Sequence, residues 1–83
     1  MKAKLLKRIR AKAEREIYVS HSDRWGYMLN DGGKNYLRSY NVFYNTSADA
    51  ERQRDECRYY YIVNTISRMR LLGITKVMKE EGI

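Results

Sequence analysis

The 83-residue sequence contains no proline, one cysteine and one histidine, and it has no long hydrophobic run. A single cysteine, Cys57, excludes an internal disulfide, so the chain lacks the pattern of small secreted proteins that disulfides hold together. We therefore predict a cytoplasmic location. The longest apolar run is Tyr59–Val63, whereas a membrane helix needs roughly 20 apolar residues. At the N-terminus, Lys7 interrupts the apolar pair Leu5–Leu6, so we expect neither a membrane span nor a secretion signal.

The scarcity of histidine and cysteine also argues against catalysis and metal binding. His21 lies in a Ser-His-Ser-Asp segment, but neighbouring residues of a turn do not converge as a catalytic triad does. Arginines beside Cys57 can lower the pKa of a thiol, yet the chain offers no second histidine as a base. A zinc site needs three or four Cys or His ligands. We therefore predict no enzyme activity, no cofactor, no metal and no small-molecule substrate.

The residues that are present are typical of a small folded domain. Hydrophobic residues make up 43% of the chain and eight residues are tyrosine, which is unlike a disordered sequence. A chain of this length forms one domain, residues 1–83. The predicted fold class is α+β: an N-terminal amphipathic helix, a two- or three-stranded antiparallel sheet, a long second helix and a short C-terminal element.

A helix is predicted over residues 2–16, and it carries most of the positive charge. Its apolar residues recur at spacings of three and four, which places them on one stripe; they are Leu5, Leu6, Ile9, Ala13 and Ile17. The chain has 17 basic and 10 acidic residues and a net charge of +7. Residues 1–16 hold seven of the basic and two of the acidic residues, so this helix alone carries +5.

Strand-forming residues follow the helix. Ile17–Val19 are β-branched or aromatic; they either extend the helix or begin a strand, and we favour the strand. The next segment, 20–23, is predicted to be a turn. Runs rich in aromatic and β-branched residues, Trp25–Leu29 and Lys34–Tyr44, flank Asn-Asp-Gly-Gly, which predicts a hairpin at residues 25–44.

The register of this hairpin decides which side chains share a face. A loop of two or four residues would place Trp25 and Tyr27 on the face of Tyr44. A three-residue loop with a bulge would place them on the face of Phe43 instead. The sequence pattern allows both registers.

A long helix is predicted over residues 47–72. Thr46 or Ser47 is suited to its N-cap, and Gly73 to the position after its last residue. We expect its main apolar stripe to comprise Tyr59, Ile62, Val63, Ile66 and Met69, and a weaker strip to include Ala50, Cys57, Tyr61 and Leu72. A helix that is apolar on two sides packs between two layers or has a partner outside the chain. Thr75 is expected to cap a short helix from Lys76 to Glu81.

Two functions fit these patterns, and the first is an accessory role in nucleic-acid binding, to DNA or RNA. Cations on one face of a helix form an electrostatic footprint for phosphates, and tyrosines among cations provide stacking surfaces for bases. The predicted residues are Lys4, Lys7, Arg8, Lys12 and Arg15 of the helix, and Lys34, Tyr36, Arg38 and Tyr40 of the hairpin. The alternative is structural: an ordinary solvated face, and tyrosines that pack in the core.

The second function is protein–protein interaction, as a homodimer, an assembly subunit or a small inhibitor. Aromatic residues and arginine are the usual anchors of interfaces. The predicted interface residues lie on the long helix: Cys57, Arg58, Tyr60, Tyr61 and Leu72.

Overall fold

A computed structural model describes residues 2–30 and 43–83 of the chain. The elements in chain order are α1 (Ala3–Glu16), β1 (Tyr18–Ser22), β2 (Gly26–Asn30), β3 (Phe43–Tyr44), α2 (Ser47–Leu72) and α3 (Ile74–Glu81). The predicted α+β arrangement is confirmed, as are the first helix and the bounds of the long helix.

The three strands form an antiparallel sheet in the order β1-β2-β3. A strand does follow Ile17, as favoured from the sequence. The predicted turn at 20–23 is wrong, because Ser20 to Ser22 pair with β2 and the turn occupies residues 23–25. Ser20 and Ser22 are tolerated in β1 because they point to the face of the sheet opposite Val19 and the core, where the Ser20 hydroxyl accepts a hydrogen bond from Nδ2 of Asn30 at 3.0 Å.

The antiparallel pairing of β2 with β3 confirms a hairpin at the two ends of segment 25–44. Tyr27 lies opposite Tyr44, and Met28 lies opposite Phe43. Tyr27 therefore shares a face with Tyr44, as expected for a loop with an even number of residues, but Trp25, expected on the same face, lies in the turn with its ring beside that of Phe43. The predicted Asp-Gly-Gly turn and the strand residues 34–42 lie outside the described part of the chain.

Gly26 allows β3 to approach β2 closely at the start of the strand. Its φ is 89°, in the region that favours glycine. A Cβ at this position would lie 2.7 Å from the carbonyl oxygen of Tyr44. Any larger residue would therefore clash with the backbone of β3, and strand β2 begins here rather than at Trp25.

Both ends of α2 match their sequence signals. The Thr46 hydroxyl accepts a hydrogen bond from the Asp49 amide at 3.2 Å, which is the N-cap contact. Gly73 ends the helix with φ 99°, and its amide donates to the Met69 carbonyl at 3.0 Å.

Helix α3 begins at Ile74, two residues earlier than predicted. The Gly73 carbonyl accepts from the Val77 amide at 3.3 Å, so one glycine ends α2 and precedes α3. Thr75 consequently lies within the first turn of α3 and does not cap it.

The core is built on one stripe of α2, which the predicted main stripe matches only in part: Met69 is buried, and Ile62 and Ile66 pack against the core. The buried residues of α2 are Ala50, Cys57, Tyr61, Thr65 and Met69, spaced by seven and four. Tyr59 and Val63, expected in the core, are 63% and 38% exposed. Because the buried residues form a single stripe, α1, the sheet and α3 all pack on the same side of α2; they contribute Ile9, Ala13, Ile17, Leu29 and Val77 to the core.

The molecule is elongated, with principal dimensions of 43 × 22 × 16 Å. At 1.5 Å per residue, the 26 residues of α2 extend about 39 Å, so this helix sets the long dimension. Within residues 2–30 and 43–83, no helix combines the length and the apolar character needed to cross a bilayer.

Candidate functional site

The predicted basic residues of α1 lie together on the side of the helix that faces away from α2. We call Lys4, Lys7, Arg8, Lys12 and Arg15 the basic face. Ile9 and Ala13, on the opposite side of α1, are fully buried in the core. The helical period places Lys4, Arg8 and Arg15 within about 40° of one another around the axis, and all three are exposed.

Most cations of the basic face have no acidic partner in the described structure. Lys12 donates to Oε1 of Glu16 at 3.0 Å. The other four form no ion pair with a residue in 2–30 or 43–83. Unpaired cations on one helical face produce a local positive potential that attracts phosphate groups.

A shallow groove of about 220 Å³ lies between the basic face and the end of α3. Arg8, Lys12 and Arg15 line one wall, and Gly82 and Ile83 contribute to the other. Three cations therefore point into a depression that is larger than a phosphate group.

The predicted site residues of the hairpin lie outside the described residues; they are Lys34, Tyr36, Arg38 and Tyr40. Their part in nucleic-acid binding stays a prediction. Tyr44, at the end of the same segment, is half-buried and packs against the core. The ring faces the core side of the sheet, and burial raises the pKa of Tyr44 above its ordinary value of 10.0.

Two predicted interface residues belong to the core instead. Cys57 is 5% exposed and Tyr61 is 1% exposed, so neither contributes to a surface in this fold. Burial raises the pKa of Tyr61, and a hydrogen bond with Glu81 raises it further. The predicted interface residues Tyr60 and Leu72 are 46% and 49% exposed.

Arg58, the remaining predicted interface residue, has an internal role. Its Nε donates to the Ile17 carbonyl at 2.8 Å, and its Nη2 donates to the Glu14 carbonyl at 3.1 Å. The guanidinium group thus holds the C-terminal end of α1 against α2.

An exposed aromatic cluster lies at the first turn of the sheet and on its outer face. Of its residues, only Trp25 was considered a candidate from the sequence. We define the aromatic cluster as Tyr18, Trp25 and Phe43, which are 49%, 57% and 39% exposed. The Trp25 and Phe43 ring centroids are 6.0 Å apart, and the Arg24 guanidinium lies 4.9 Å from the Trp25 centroid. The sequence allowed two hairpin registers, so it did not show that Trp25 and Phe43 lie side by side.

A second exposed surface is the outer face of α2, formed by Glu56, Tyr59, Tyr60, Val63 and Arg70; the sequence predicted core positions for Tyr59 and Val63 and an interface position for Tyr60. The rings of Tyr59 and Tyr60 are 5.9 Å apart at an interplanar angle of 65°. This face points away from the side on which α1, α3 and the sheet pack.

The described residues offer little for metal or acid–base chemistry. They contain no group of three or more His, Cys, Asp or Glu that could hold a metal ion. His21 stacks on Tyr27 at 4.7 Å, and its Nδ1 lies 3.9 Å from an oxygen of the exposed Asp23. Comparison of the chain with protein-family models, curated proteins and solved structures finds no match.

Proposed function

We propose that the protein binds nucleic acid through the basic face of α1. The observation that supports this most directly is the set of four exposed cations without an acidic partner among the described residues. In an ordinary solvated face, cations are commonly interspersed with acidic residues. The proposal includes a cytoplasmic location, the compartment predicted from the single cysteine.

The length of the basic face suits a nucleic-acid backbone. Lys4 and Arg15 are separated by about 16 Å along the helix axis, at 1.5 Å per residue. Nucleotides of one strand follow one another at about 3.4 Å, so this distance corresponds to about five nucleotides. Several phosphates can therefore contact the face at once.

The first prediction concerns two cations of the basic face that line the groove. We expect Arg8→Gln/Arg15→Gln to weaken binding to oligonucleotides and to reduce the slope of log K against log salt by about 1.5, because each lost phosphate contact removes about 0.7–0.9. Fluorescence anisotropy of labelled DNA and RNA over a salt series measures both effects.

The matched control is Lys76→Gln/Lys79→Gln, which removes the same charge from exposed positions on α3. This control variant should keep most of the salt dependence of oligonucleotide binding. Equal effects of the two double variants would show that only net charge matters. Binding weaker than about 100 μM at about 50 mM salt, or binding that salt does not change, would refute the proposal.

Self-association through the outer face of α2 is a second candidate, supported by the exposure and charge pattern of that face. Glu56 and Arg70 lie seven residues on either side of Val63, and neither forms an ion pair with another described residue. In an antiparallel pairing of two copies about Val63, each Glu56 would lie opposite the Arg70 of the other copy. A two-fold dimer has this self-complementary form.

The second prediction tests this pairing by charge exchange. We expect Glu56→Arg to weaken a dimer because it places like charges opposite each other, and Glu56→Arg/Arg70→Glu to restore it. Sedimentation equilibrium over a range of concentrations measures the association. Glu51→Arg, an exposed change outside this face, should leave it unaltered, and a monomer at every concentration would exclude this candidate.

A further inference from the structure

We propose that the aromatic cluster stacks the bases of single-stranded nucleic acid while the basic face of α1 holds the phosphates. This inference rests on the proposed function and extends it, because it names the kind of nucleic acid. The aromatic cluster comprises Tyr18, Trp25 and Phe43, as defined above.

Tyr18 and Phe43 lie on the outer face of the sheet; the rings of Trp25 and Phe43 are neighbours, and Tyr18 lies opposite Asn30, two residues further along β2 than the partner of Phe43. Val19 and Leu29 pair across the strands and pack in the core, so Tyr18, Met28 and Phe43 point to the other side, since side chains alternate along a strand. Trp25 follows β1 in the turn, and its ring lies beside that of Phe43.

Part of the positive charge that a nucleic-acid strand requires is present at the cluster, and the rest lies on the basic face of the preceding helix. Arg24 lies over the Trp25 ring, so a cation and an aromatic surface are already combined. Only Ile17 separates α1 from β1, so the basic face ends close to Tyr18, and Trp25 lies at the opposite end of β1, five strand residues of about 3.3 Å each further on.

The sheet and α1 pack on the same side of α2, so their outer faces both point away from that helix. Aromatic rings and cations therefore belong to one side of the molecule. Cations bind phosphates and aromatic rings stack with bases, so this surface suits a polyanion with exposed flat rings. A single strand with unpaired bases is such a polyanion. A duplex presents phosphates but keeps its bases stacked inside.

Trp25 is the only tryptophan in the chain, so its fluorescence reports on the cluster directly. The wild-type protein is titrated at low salt with a twelve-nucleotide oligothymidine, with an abasic strand of the same length and with a duplex. We expect oligothymidine to quench Trp25 emission and the abasic strand to bind more weakly and without quenching.

Variants then separate stacking from charge. Trp25→Ala/Phe43→Ala should lower the affinity for labelled oligothymidine at least about tenfold and leave the affinity for the abasic strand within about twofold. The single variant Phe43→Ala retains Trp25, so its binding can still be followed by Trp25 fluorescence. The matched control is Tyr59→Ala/Tyr60→Ala, which removes two exposed rings from α2; circular dichroism confirms that each variant is folded.

The outcomes distinguish this inference from the proposed function. If oligothymidine and the abasic strand bind equally and with the same salt dependence, the stacking role is refuted while the basic face keeps its function. If no strand binds, both are refuted. A Trp25 signal that changes with protein concentration and not with oligothymidine would identify the cluster as a contact between copies, and would also overturn the inference.

Discussion

Arg58 connects α2 to the C-terminal end of α1 through two backbone carbonyls, those of Glu14 and Ile17. Carbonyl groups in the last turn of a helix have no partner within the helix and carry partial negative charge. Burial lowers the pKa of Arg58, and the neighbouring Arg54 lowers it further, but an arginine stays charged at neutral pH. The planar fork of donors suits two separate carbonyls.

The third prediction is that Arg58→Met lowers the free energy of unfolding by about 1.5–3 kcal/mol, the range for hydrogen bonds made by charged groups. Methionine keeps an unbranched apolar stem but donates no hydrogen bond. Urea unfolding followed by circular dichroism measures the change.

Arg52→Met is the control for this substitution. Arg52 forms an exposed ion pair with Asp49 in the same helix, and such pairs contribute about 0–1 kcal/mol. Equal losses for the two variants would contradict the role assigned to Arg58. The sequence alone suggested an interface residue, because nothing local to Arg58 indicates carbonyl partners 41 and 44 residues away.

At the scale of elements, local signals predicted the helices well and the faces of α2 poorly. The Thr46 cap and the Gly73 terminus depend on neighbouring residues and were readable from the sequence. The side of α2 that is buried depends on what packs there. Its core stripe includes polar Thr65, whereas the exposed side has Tyr59 and Val63, so counting apolar residues placed the predicted stripe partly on the exposed side.

Helix α3 is held against α2 by polar contacts in addition to Val77. Arg68 of α2 forms ion pairs with Glu80 and with Glu81, the latter at 3.6 Å. Tyr61, also on α2, shares a hydrogen bond with Glu81. The buried phenol is therefore part of the attachment of α3.

The fourth prediction is a loss of stability at alkaline pH that depends on Tyr61. Its pKa is raised above the ordinary 10.0 in the folded state, so the folded protein keeps a proton that the unfolded chain loses above that pH. The stabilisation is present in full below about pH 10 and falls as the pH rises further.

Urea unfolding at pH 8, 10 and 11 measures this dependence in the wild type and in Tyr61→Phe. The variant should lose less stability between pH 10 and pH 11. Tyr44, whose pKa burial also raises, accounts for the slope that is left. If the free energy of unfolding falls with pH equally in the wild type and in Tyr61→Phe, Tyr61 is excluded as the cause of the alkaline loss of stability.

At the scale of the whole molecule, α2 divides the surface into two chemically different sides. One side presents the basic face and the aromatic cluster, and the other presents the outer face of α2. The sequence located the positive charge, because the helical period and the count of basic residues in 1–16 depend on α1 alone. It predicted a surface that combines these cations with aromatic residues of the hairpin, but it did not select Tyr18 and Phe43, because their exposure depends on packing between elements far apart in the chain.

The separation between Arg58 and its carbonyl partners also has a consequence for the order of folding. The contact with Ile17 spans 41 residues, and closing a loop of that length costs more entropy than closing the three-residue turn between β1 and β2. Because Ile17 directly precedes β1, docking of the sheet on α2 would bring it close to Arg58. We therefore expect the hairpin and α2 to assemble first and α1 to dock late, so that the helix with the greatest charge is the last to join the native structure.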